Sequence, residues 1–233
     1  MSETLEPSIR WVDPGEETSA RLLEAHIAER GFPCVGAKAA LARGSLEVVG
    51  ARDIRSGWDD LHIIERLRVF AGNYRAAPTL FRSFAVVFRQ PTALTETQFE
   101  RALWDRIQSL SDKDLWLGQK WDGRVSCDPT SPHFSLSFGG EAFFVVGLHP
   151  GASRPARRFE RPTMVFNLHD QFETLRAEGR YERMRETILE RDAALSGSIN
   201  PMLSRHGENS EARQYSGRDV GSDWACPFRY AGD

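Results

Sequence analysis

The chain has 233 residues, a formal net charge of −3, 40% hydrophobic residues and 27% charged residues. These values are typical of a globular protein with a buried core, and the small net charge excludes a global electrostatic reason to expect nucleic acid as the partner. No apolar run approaches the roughly 20 residues that a membrane-spanning helix needs, so we expect no membrane partner.

Cysteine usage and the N-terminal composition predict the compartment. Cys34, Cys127 and Cys226 are widely spaced and odd in number, which argues against a disulfide framework and for a reducing cytoplasm. The polar, acidic start of the chain does not resemble a signal peptide. The first 16 residues are predicted to be a flexible lead-in, followed by one domain over residues 17–233.

The first half of the chain predicts helices that alternate with two strands. Apolar residues at helical spacing mark the helices, and Thr95 with Gln98 three residues later resembles a capping box. The predicted elements are a helix at Glu17–Arg30, a short helix at Val35–Arg43, a strand at Ser45–Ala51, a helix at Gly57–Tyr74, a strand at Leu80–Arg89 and a helix at Thr95–Ser111.

The second half predicts a run of strands, a long helix and an irregular tail. Gly139 and Gly140 separate two apolar runs, which is the pattern of a hairpin. The predicted elements are strands at Phe134–Phe138, Ala142–Leu148 and Thr163–Leu168, a helix at Gln171–Ala194 with a break at Gly179, and an ordered, irregular wrap from Gly197 onwards. Together the elements predict an α+β domain, with helices packed on a mainly antiparallel sheet.

Two of these strands end directly in a histidine. His149 follows Leu148, His169 follows Leu168, and the loop between them carries Arg154, Arg157 and Arg158. Loops that a rigid scaffold holds in place concentrate binding and catalysis. The pattern therefore predicts an active-site rim with two imidazoles and a cationic cluster, although hydrogen-bonded strand-end histidines and a solvated basic turn would also explain it.

Several motifs that would indicate other chemistries are missing from the sequence. It contains no Walker loop or GxGxxG turn, so nucleotide binding has no support. It has no CxxC and no HExxH, so a zinc knuckle or a zinc hydrolase fits poorly. From the residues alone, a module that binds an anionic metabolite through its arginine loop stays open as an alternative.

Seven segments spread along the chain carry a family resemblance. They read FPCVGAKAAL (32–41), FFVVGLHPGASRPARRF (143–159), PTMVFNLHDQFETLR (162–176), RYERMRETILERD (180–192), NPML (200–203), SEARQYSGR (210–218) and WACPF (224–228). In this order they resemble the YqcI/YcgG family, and within it the branch with the haem-dependent guanidine N-hydroxylase of guanitoxin biosynthesis. The resemblance implies a b-type haem, dioxygen, an external electron donor and N-hydroxylation of a small, amino-acid-like guanidino substrate.

A haem enzyme needs an iron ligand, and the resemblance suggests three candidates for it. His149 is the first choice because an imidazole at the end of an apolar strand is held rigidly in a dry setting. His169 is the rival ligand, or else a distal group beside bound dioxygen. Cys34 is the third candidate, since a thiolate ligand favours O–O cleavage and a helix N-terminus lowers the pKa of a thiol.

The same resemblance suggests roles for other side chains. Arg154, Arg157 and Arg158 suit the haem propionates, because a guanidinium matches a carboxylate with two hydrogen bonds; we expect Arg157→Ala to weaken haem retention and leave the fold intact. Residues predicted to act on the substrate are His169, Asp170 and Glu211, with Glu173 as a further carboxylate for the guanidinium.

Phe144 and Phe166 are predicted to line the porphyrin, although core packing would give them the same apolar spacing. A haem protein without catalytic activity, such as a sensor or carrier, is the main alternative function. The sequence does not distinguish a monomer from a homodimer.

Overall fold

Five strands form one mixed sheet in the computed structural model, which describes residues 14–198 and 209–232. The strands are β1 (Leu46–Asp53), β2 (Ser83–Gln90), β3 (Leu136–Phe138), β4 (Glu141–Leu148) and β5 (Thr163–Leu168). They lie in the order β1, β2, β5, β4, β3, with β1 parallel to β2 and the other three pairs antiparallel. The predicted α+β fold with a mainly antiparallel sheet is confirmed.

Helices cover both faces of this sheet. Within the described ranges they are α1 (Pro14–Ala28), α2 (Val35–Ala42), α3 (Asp60–Ala76), α4 (Glu96–Trp116), α5 (His169–Ala177) and α6 (Tyr181–Ser196). None of these helices is long and apolar enough to cross a bilayer. The lead-in predicted at residues 1–16 falls mainly outside the described residues, and residues 14–16 belong to the first turn of α1.

Local signals in the sequence account for several helix ends. The capping box is confirmed, because Thr95 Oγ1 accepts from the Gln98 N–H at 3.2 Å and Gln98 Oε1 accepts from the Thr95 N–H at 3.0 Å. The helix predicted at 171–194 is two helices, α5 and α6. Gly179 lies between them with φ of +68°, a conformation that a residue with a Cβ rarely adopts.

Alternation along the strands divides the apolar residues between two cores. Phe84, Phe143 and Phe166 lie on the face that α3 and α4 cover, here called the α3–α4 face. The neighbouring strand residues, such as Ala85 and Val146, lie on the opposite face. There α1 covers β1 and β2, while α6 contacts both α2 and α5 further along. This second face carries the candidate site.

The tail closes the open edge of β4. Gly147 donates its N–H to the Tyr215 carbonyl at 2.7 Å, and the side chains of Tyr215 and Phe228 are buried in the core of the α3–α4 face. Apart from a short 3-10 turn at Glu211–Gln214, residues 209–232 form no regular element. The predicted ordered, irregular wrap is confirmed over these residues; the NPML segment (200–203) lies outside the described residues.

Candidate functional site

A cleft opens on the sheet face opposite α3 and α4, between α2, α5 and α6. It holds about 230 Å³ of solvent-sized space, close to the lower end of the roughly 300–1,000 Å³ of small-molecule sites. Ser83, Asn167 and Phe144 form part of its floor, because Asn167 is paired with both of the others across the sheet. Its apolar lining includes Phe81, Val146, Phe172, Tyr181, Met184, Ile188 and Leu189. We call this space the apolar cleft.

Three of the predicted site residues line the apolar cleft together. They are Cys34 at the start of α2, His169 at the start of α5 and Glu211 in the tail. They come from distant parts of the chain, and the sheet brings them to one space. Phe144, which was predicted to line a porphyrin, also lines this cleft.

Cys34 is the N-cap residue of α2. Its extended backbone allows Sγ to accept the Ala37 N–H at 3.4 Å. Burial raises the pKa of the Cys34 thiol, while hydrogen bonds from the main chain of α2 and the positive charge of Arg157 act in the opposite direction. Because burial is the larger effect, the uncharged thiol is the favoured form of Cys34, and a bound metal ion would be needed to deprotonate it.

His169 stands between the apolar cleft and a second, more polar cavity. Its side chain is 13% exposed, and Nε2 lies 3.2 Å from Glu173 Oε1. The same Glu173 oxygen accepts a hydrogen bond from Arg176. The second cavity holds about 340 Å³ of solvent-sized space and is lined by Asp122, Arg124, Val125, His133, Ala142, His169, Asp170 and Glu173.

Asp170 faces this second cavity and is not among the residues that line the apolar cleft. Its Oδ2 accepts a hydrogen bond from the Tyr74 hydroxyl at 2.6 Å, and its Oδ1 lies 3.5 Å from Arg124 Nη1. Burial and the hydrogen bond to Asp170 raise the pKa of Tyr74. The Asp170 carboxylate therefore already has a strong neutral donor and a nearby cation.

Glu211 places a carboxyl group in the wall of the apolar cleft. Its Oε1 accepts hydrogen bonds from Ser135 Oγ, at 2.8 Å, and from the Tyr215 hydroxyl. Burial raises the pKa of Glu211 to about 7, against the opposing effect of these hydrogen bonds. No lysine, arginine or histidine among the described residues forms an ion pair with it.

His149 lies on the other face of the sheet. It is 1% exposed, and its ring stacks on Phe99 of α4 with centroids 4.3 Å apart. Burial lowers its pKa to about 4, and Nδ1 has no hydrogen-bond partner among the described residues. His149 does not line the apolar cleft, so the prediction that both strand-end histidines share one rim is wrong. Of the three predicted iron ligands, the cleft contains His169 and Cys34.

The predicted propionate anchors bind the protein itself. Arg154 forms an ion pair with Asp192 of α6 at 2.5 Å. Arg157 donates to main-chain carbonyls of β4 and of the tail, and burial lowers its pKa to about 10. Arg158 donates to two carbonyls within its own loop. None of the three lines the apolar cleft, so the structure corrects their assignment as anchors; they brace the loop, α6 and the tail.

Three other arginines line the cleft and were missed from the sequence: Arg82, Arg176 and Arg185. The Arg82 guanidinium lies 5.3 Å from the centroid of the Phe70 ring, and it has no carboxylate partner among the described residues. Arg176 lies over the Tyr181 ring at 4.4 Å. The one signal in the sequence is that Tyr181 and Arg185 are four residues apart, which places them on one face of a helix. This spacing does not indicate that the face borders a cleft.

Phe166 is the other aromatic residue whose predicted role the structure corrects. It is fully buried on the α3–α4 face, edge-on to Phe84, Phe138 and Phe143. Its register partner Val145 lies on that same face. Phe166 is therefore a core residue, and it does not line the cleft.

Comparison with known proteins adds one finding to this geometry. No curated protein and no solved structure matches the chain significantly. The model of the YqcI/YcgG family matches residues 23–229, a span that contains the residues of the cleft, helices α2, α5 and α6, and most of the tail. The chain belongs to the YqcI/YcgG family.

Proposed function

We propose that this protein is a haem-dependent monooxygenase that hydroxylates a guanidino nitrogen of a small, amino-acid-like substrate. The observation that carries the proposal is the apolar cleft, where the Cys34 thiol, the Arg82 guanidinium and the Glu211 carboxyl group line one space. The sequence resemblance to the guanidine N-hydroxylase branch of the family supports the same reaction. One oxygen atom of O₂ would enter the substrate and the other would leave as water, with two electrons from an external donor and two protons.

The donors in the cleft fit a b-type haem. Haem iron needs one axial protein ligand, so the lack of any cluster of three or more metal-binding side chains among the described residues does not bear on it. We assign the ligand to Cys34, whose sulfur accepts a main-chain N–H at the start of α2. His169 is the alternative, but its Nε2 is held by Glu173. When bound, haem would supply the activation of dioxygen.

The cleft also offers a cation for the haem propionates. Arg82 is the best candidate, because its guanidinium has no carboxylate partner among the described residues and a carboxylate accepts two hydrogen bonds from it. Arg176 and Arg185 line the same cleft and could contribute further. The apolar side chains of α6 would exclude water from the macrocycle.

Two other functions compete with this proposal. A haem protein without catalytic activity would use the same cleft, but the Glu211 carboxyl has no evident part in holding haem and suits a cationic substrate. A metal-free module that binds anions through Arg154, Arg157 and Arg158 has weaker support, since those guanidinium groups are engaged by the protein. We also propose a cytoplasmic location, which suits the three free cysteines.

Absorption spectra of protein expressed with ample haem precursor test the proposal. We expect a stoichiometric Soret band and, after reduction with dithionite and addition of carbon monoxide, a band at about 450 nm, as thiolate ligation gives. Cys34→Ser should lose that band, and His149→Ala should keep it. A reduced carbonyl band near about 420 nm that disappears in His169→Ala would move the ligand to His169. No Soret band after haem reconstitution would refute the proposal.

The same preparations separate an enzyme from a non-catalytic haem protein. With a reductase and dioxygen, the enzyme should convert a guanidino amino acid such as arginine to its N-hydroxy derivative, which mass spectrometry detects as a product heavier by one oxygen atom. A haem-loaded protein that gives no such product with arginine or its cyclic relatives would favour the sensor or carrier.

A further inference from the structure

The Glu211 carboxyl group has hydrogen-bond donors but no counter-ion in the described structure. Its Oε1 accepts from two neutral hydroxyls, those of Ser135 and Tyr215. Its Oε2 accepts no hydrogen bond from the described residues. Arg176 is close enough to act on Glu211 electrostatically, but its guanidinium is paired with Glu173.

A buried carboxylate without a paired cation is costly. Desolvation of an ionised carboxyl group is repaid only by a close opposite charge and by a full set of hydrogen bonds. Here the hydrogen bonds satisfy one oxygen, and the other oxygen belongs to a side chain in the wall of a cleft large enough for a ligand. A cationic group bound in the cleft would supply the missing charge and the missing donors.

The other carboxylates near the cleft already have charged partners. Glu173 accepts from Arg176 and lies 3.2 Å from His169 Nε2. Asp170 accepts from Tyr74, lies 3.5 Å from Arg124 and borders the second cavity. Of the three carboxylates predicted for the guanidinium, Glu211 alone combines a position in the apolar cleft with the absence of an ion pair among the described residues.

The hydroxyl groups that hold Glu211 are themselves fixed in the core. Tyr215 and Ser135 are fully buried. The Tyr215 ring stacks on Trp104 with centroids 5.7 Å apart and meets Phe144 edge-on at 5.4 Å. Packed aromatic contacts of this kind fix a ring in one orientation, so the Tyr215 hydroxyl defines where Glu211 Oε1 lies.

We propose that Glu211 receives the cationic group of the ligand in the apolar cleft, and that Tyr215 and Ser135 are its positioning residues. The inference deepens the proposed function and rests on it for the identity of the ligand as a guanidine. The charge argument itself depends only on the cleft. Protonated guanidines and amidines match a carboxylate with two parallel N–H donors and are the ligand class that this arrangement favours.

Calorimetry with a charged and a neutral probe of the same shape tests the inference. The probes are n-propylguanidinium and n-propylurea, added to the full-length protein both as purified and after haem reconstitution. The wild type should bind the cation about tenfold or more tightly than the urea, as expected for a charge-assisted pair. Glu211→Gln should abolish this preference. Asp170→Asn should preserve it and serves as the matched control.

The pH dependence of this preference tests the positioning role of Tyr215. Binding of the cation requires the Glu211 carboxylate, so the affinity of the wild type should rise as the pH increases through about 7, the pKa of Glu211. Tyr215→Phe removes a hydrogen bond to the carboxylate and should move this rise to higher pH. The other titratable groups that line the cleft are Cys34, His169, Tyr181 and three arginines, and His169→Ala should leave the rise in place.

Each outcome decides a separate point. Binding of the cation without any haem uptake would support the inference and refute the proposed function. Haem uptake with equal binding of both probes would refute the inference and leave the proposed function in place. A preference that survives Glu211→Gln but is lost in Asp170→Asn would overturn the assignment to Glu211. If Glu211→Gln fails to fold, the pH dependence of the wild type takes its place, and a preference that does not rise through about pH 7 would count against the inference.

Discussion

His149 and His169 each follow a strand directly, yet they lie on opposite faces of the sheet. The cause is the pairing of β4 with β5, in which Val145 is opposite Phe166. Odd-numbered residues of β4 therefore share a face with even-numbered residues of β5. His149, the next odd-numbered residue after β4, therefore lies on the face covered by α4, where its ring stacks on Phe99. His169 continues the odd series of β5 and reaches the apolar cleft.

Burial of His149 makes the folding stability depend on pH. Its pKa is lowered to about 4 in the folded protein, against about 6.5 in the unfolded chain. The unfolded state therefore binds a proton more readily, and stability that is present above about pH 6.5 is lost as the pH falls toward 4. The free energy of unfolding should therefore fall between pH 7 and 4 in the wild type. In His149→Phe, which keeps the stacking on Phe99, we expect this fall to be smaller by about 2–3 kcal/mol.

Urea unfolding of wild type and His149→Phe at several pH values measures this difference. His62→Phe is the matched control, because it replaces a histidine that is exposed on α3 and lies outside the core. Parallel stability curves for wild type and His149→Phe would show that the buried imidazole does not control this part of the acid response.

The strands and helices of this chain could be predicted because their signals are local. The capping box at Thr95 and the break at Gly179 each depend on a few neighbouring residues, and both are found where the sequence placed them. The run Thr163–Leu168 is a strand with the predicted bounds. Local patterns of this kind are decided by backbone conformation and the spacing of apolar residues.

The site could be predicted only in part, because the residues of the cleft meet through pairing and packing. The spacing of β4 does not reveal which of its faces α4 will cover, so His149 and Phe144 looked equally suitable. Arg82 reaches the cleft because β2 lies next to β5, which is distant in sequence. The clustering of the loop arginines suggested a binding site for an anion. The sequence could not show that Arg157 donates instead to the tail, because its acceptor Gln214 follows much later in the chain.

Gly147 lets the tail and α4 approach β4, so we expect Gly147→Ala to destabilise the fold. A Cβ at this position would lie 2.7 Å from Phe99, 2.8 Å from Leu103 and 2.9 Å from the Tyr215 carbonyl oxygen. Overpacking of this kind costs about 1–3 kcal/mol or more. It would also disturb the hydrogen bond from Gly147 N–H to Tyr215. Thermal unfolding of the variant should show a lower midpoint than the wild type.

Gly72→Ala is the matched control for this loss. Gly72 lies in α3, with no atom within 4 Å of the place that its Cβ would occupy. Alanine favours a helix interior over glycine by about 0.5–1 kcal/mol, so this variant should be as stable as the wild type or more so. A Gly147→Ala variant with the stability of Gly72→Ala would contradict the close packing of the tail on β4.

Arg157 holds β4 and the tail together, so we now expect Arg157→Ala to weaken the fold. Its guanidinium donates to the Gly147 carbonyl at 3.1 Å and to the Gln214 carbonyl at 3.2 Å. Loss of these buried donors leaves acceptors unsatisfied, at a cost of about 1–3 kcal/mol. Arg158→Ala, which removes contacts within one loop only, should cost less. Urea unfolding of both variants compares the two, and equal stabilities would refute the bracing role of Arg157.

Arg82 is the residue whose loss we expect to release haem without harming the fold. It lines the apolar cleft, and its guanidinium lies over the Phe70 ring but has no carboxylate partner among the described residues, so Arg82→Ala breaks no ion pair within the protein. Transfer of haem to an acceptor such as apomyoglobin should become about tenfold faster, the effect of losing one charge-assisted hydrogen-bonded pair. Arg89→Ala, an exposed arginine at the other end of β2, should transfer haem at the wild-type rate. Because both variants change the same residue type near opposite ends of β2, equal transfer rates would remove Arg82 from the haem site, whereas a difference would place the propionates beside it.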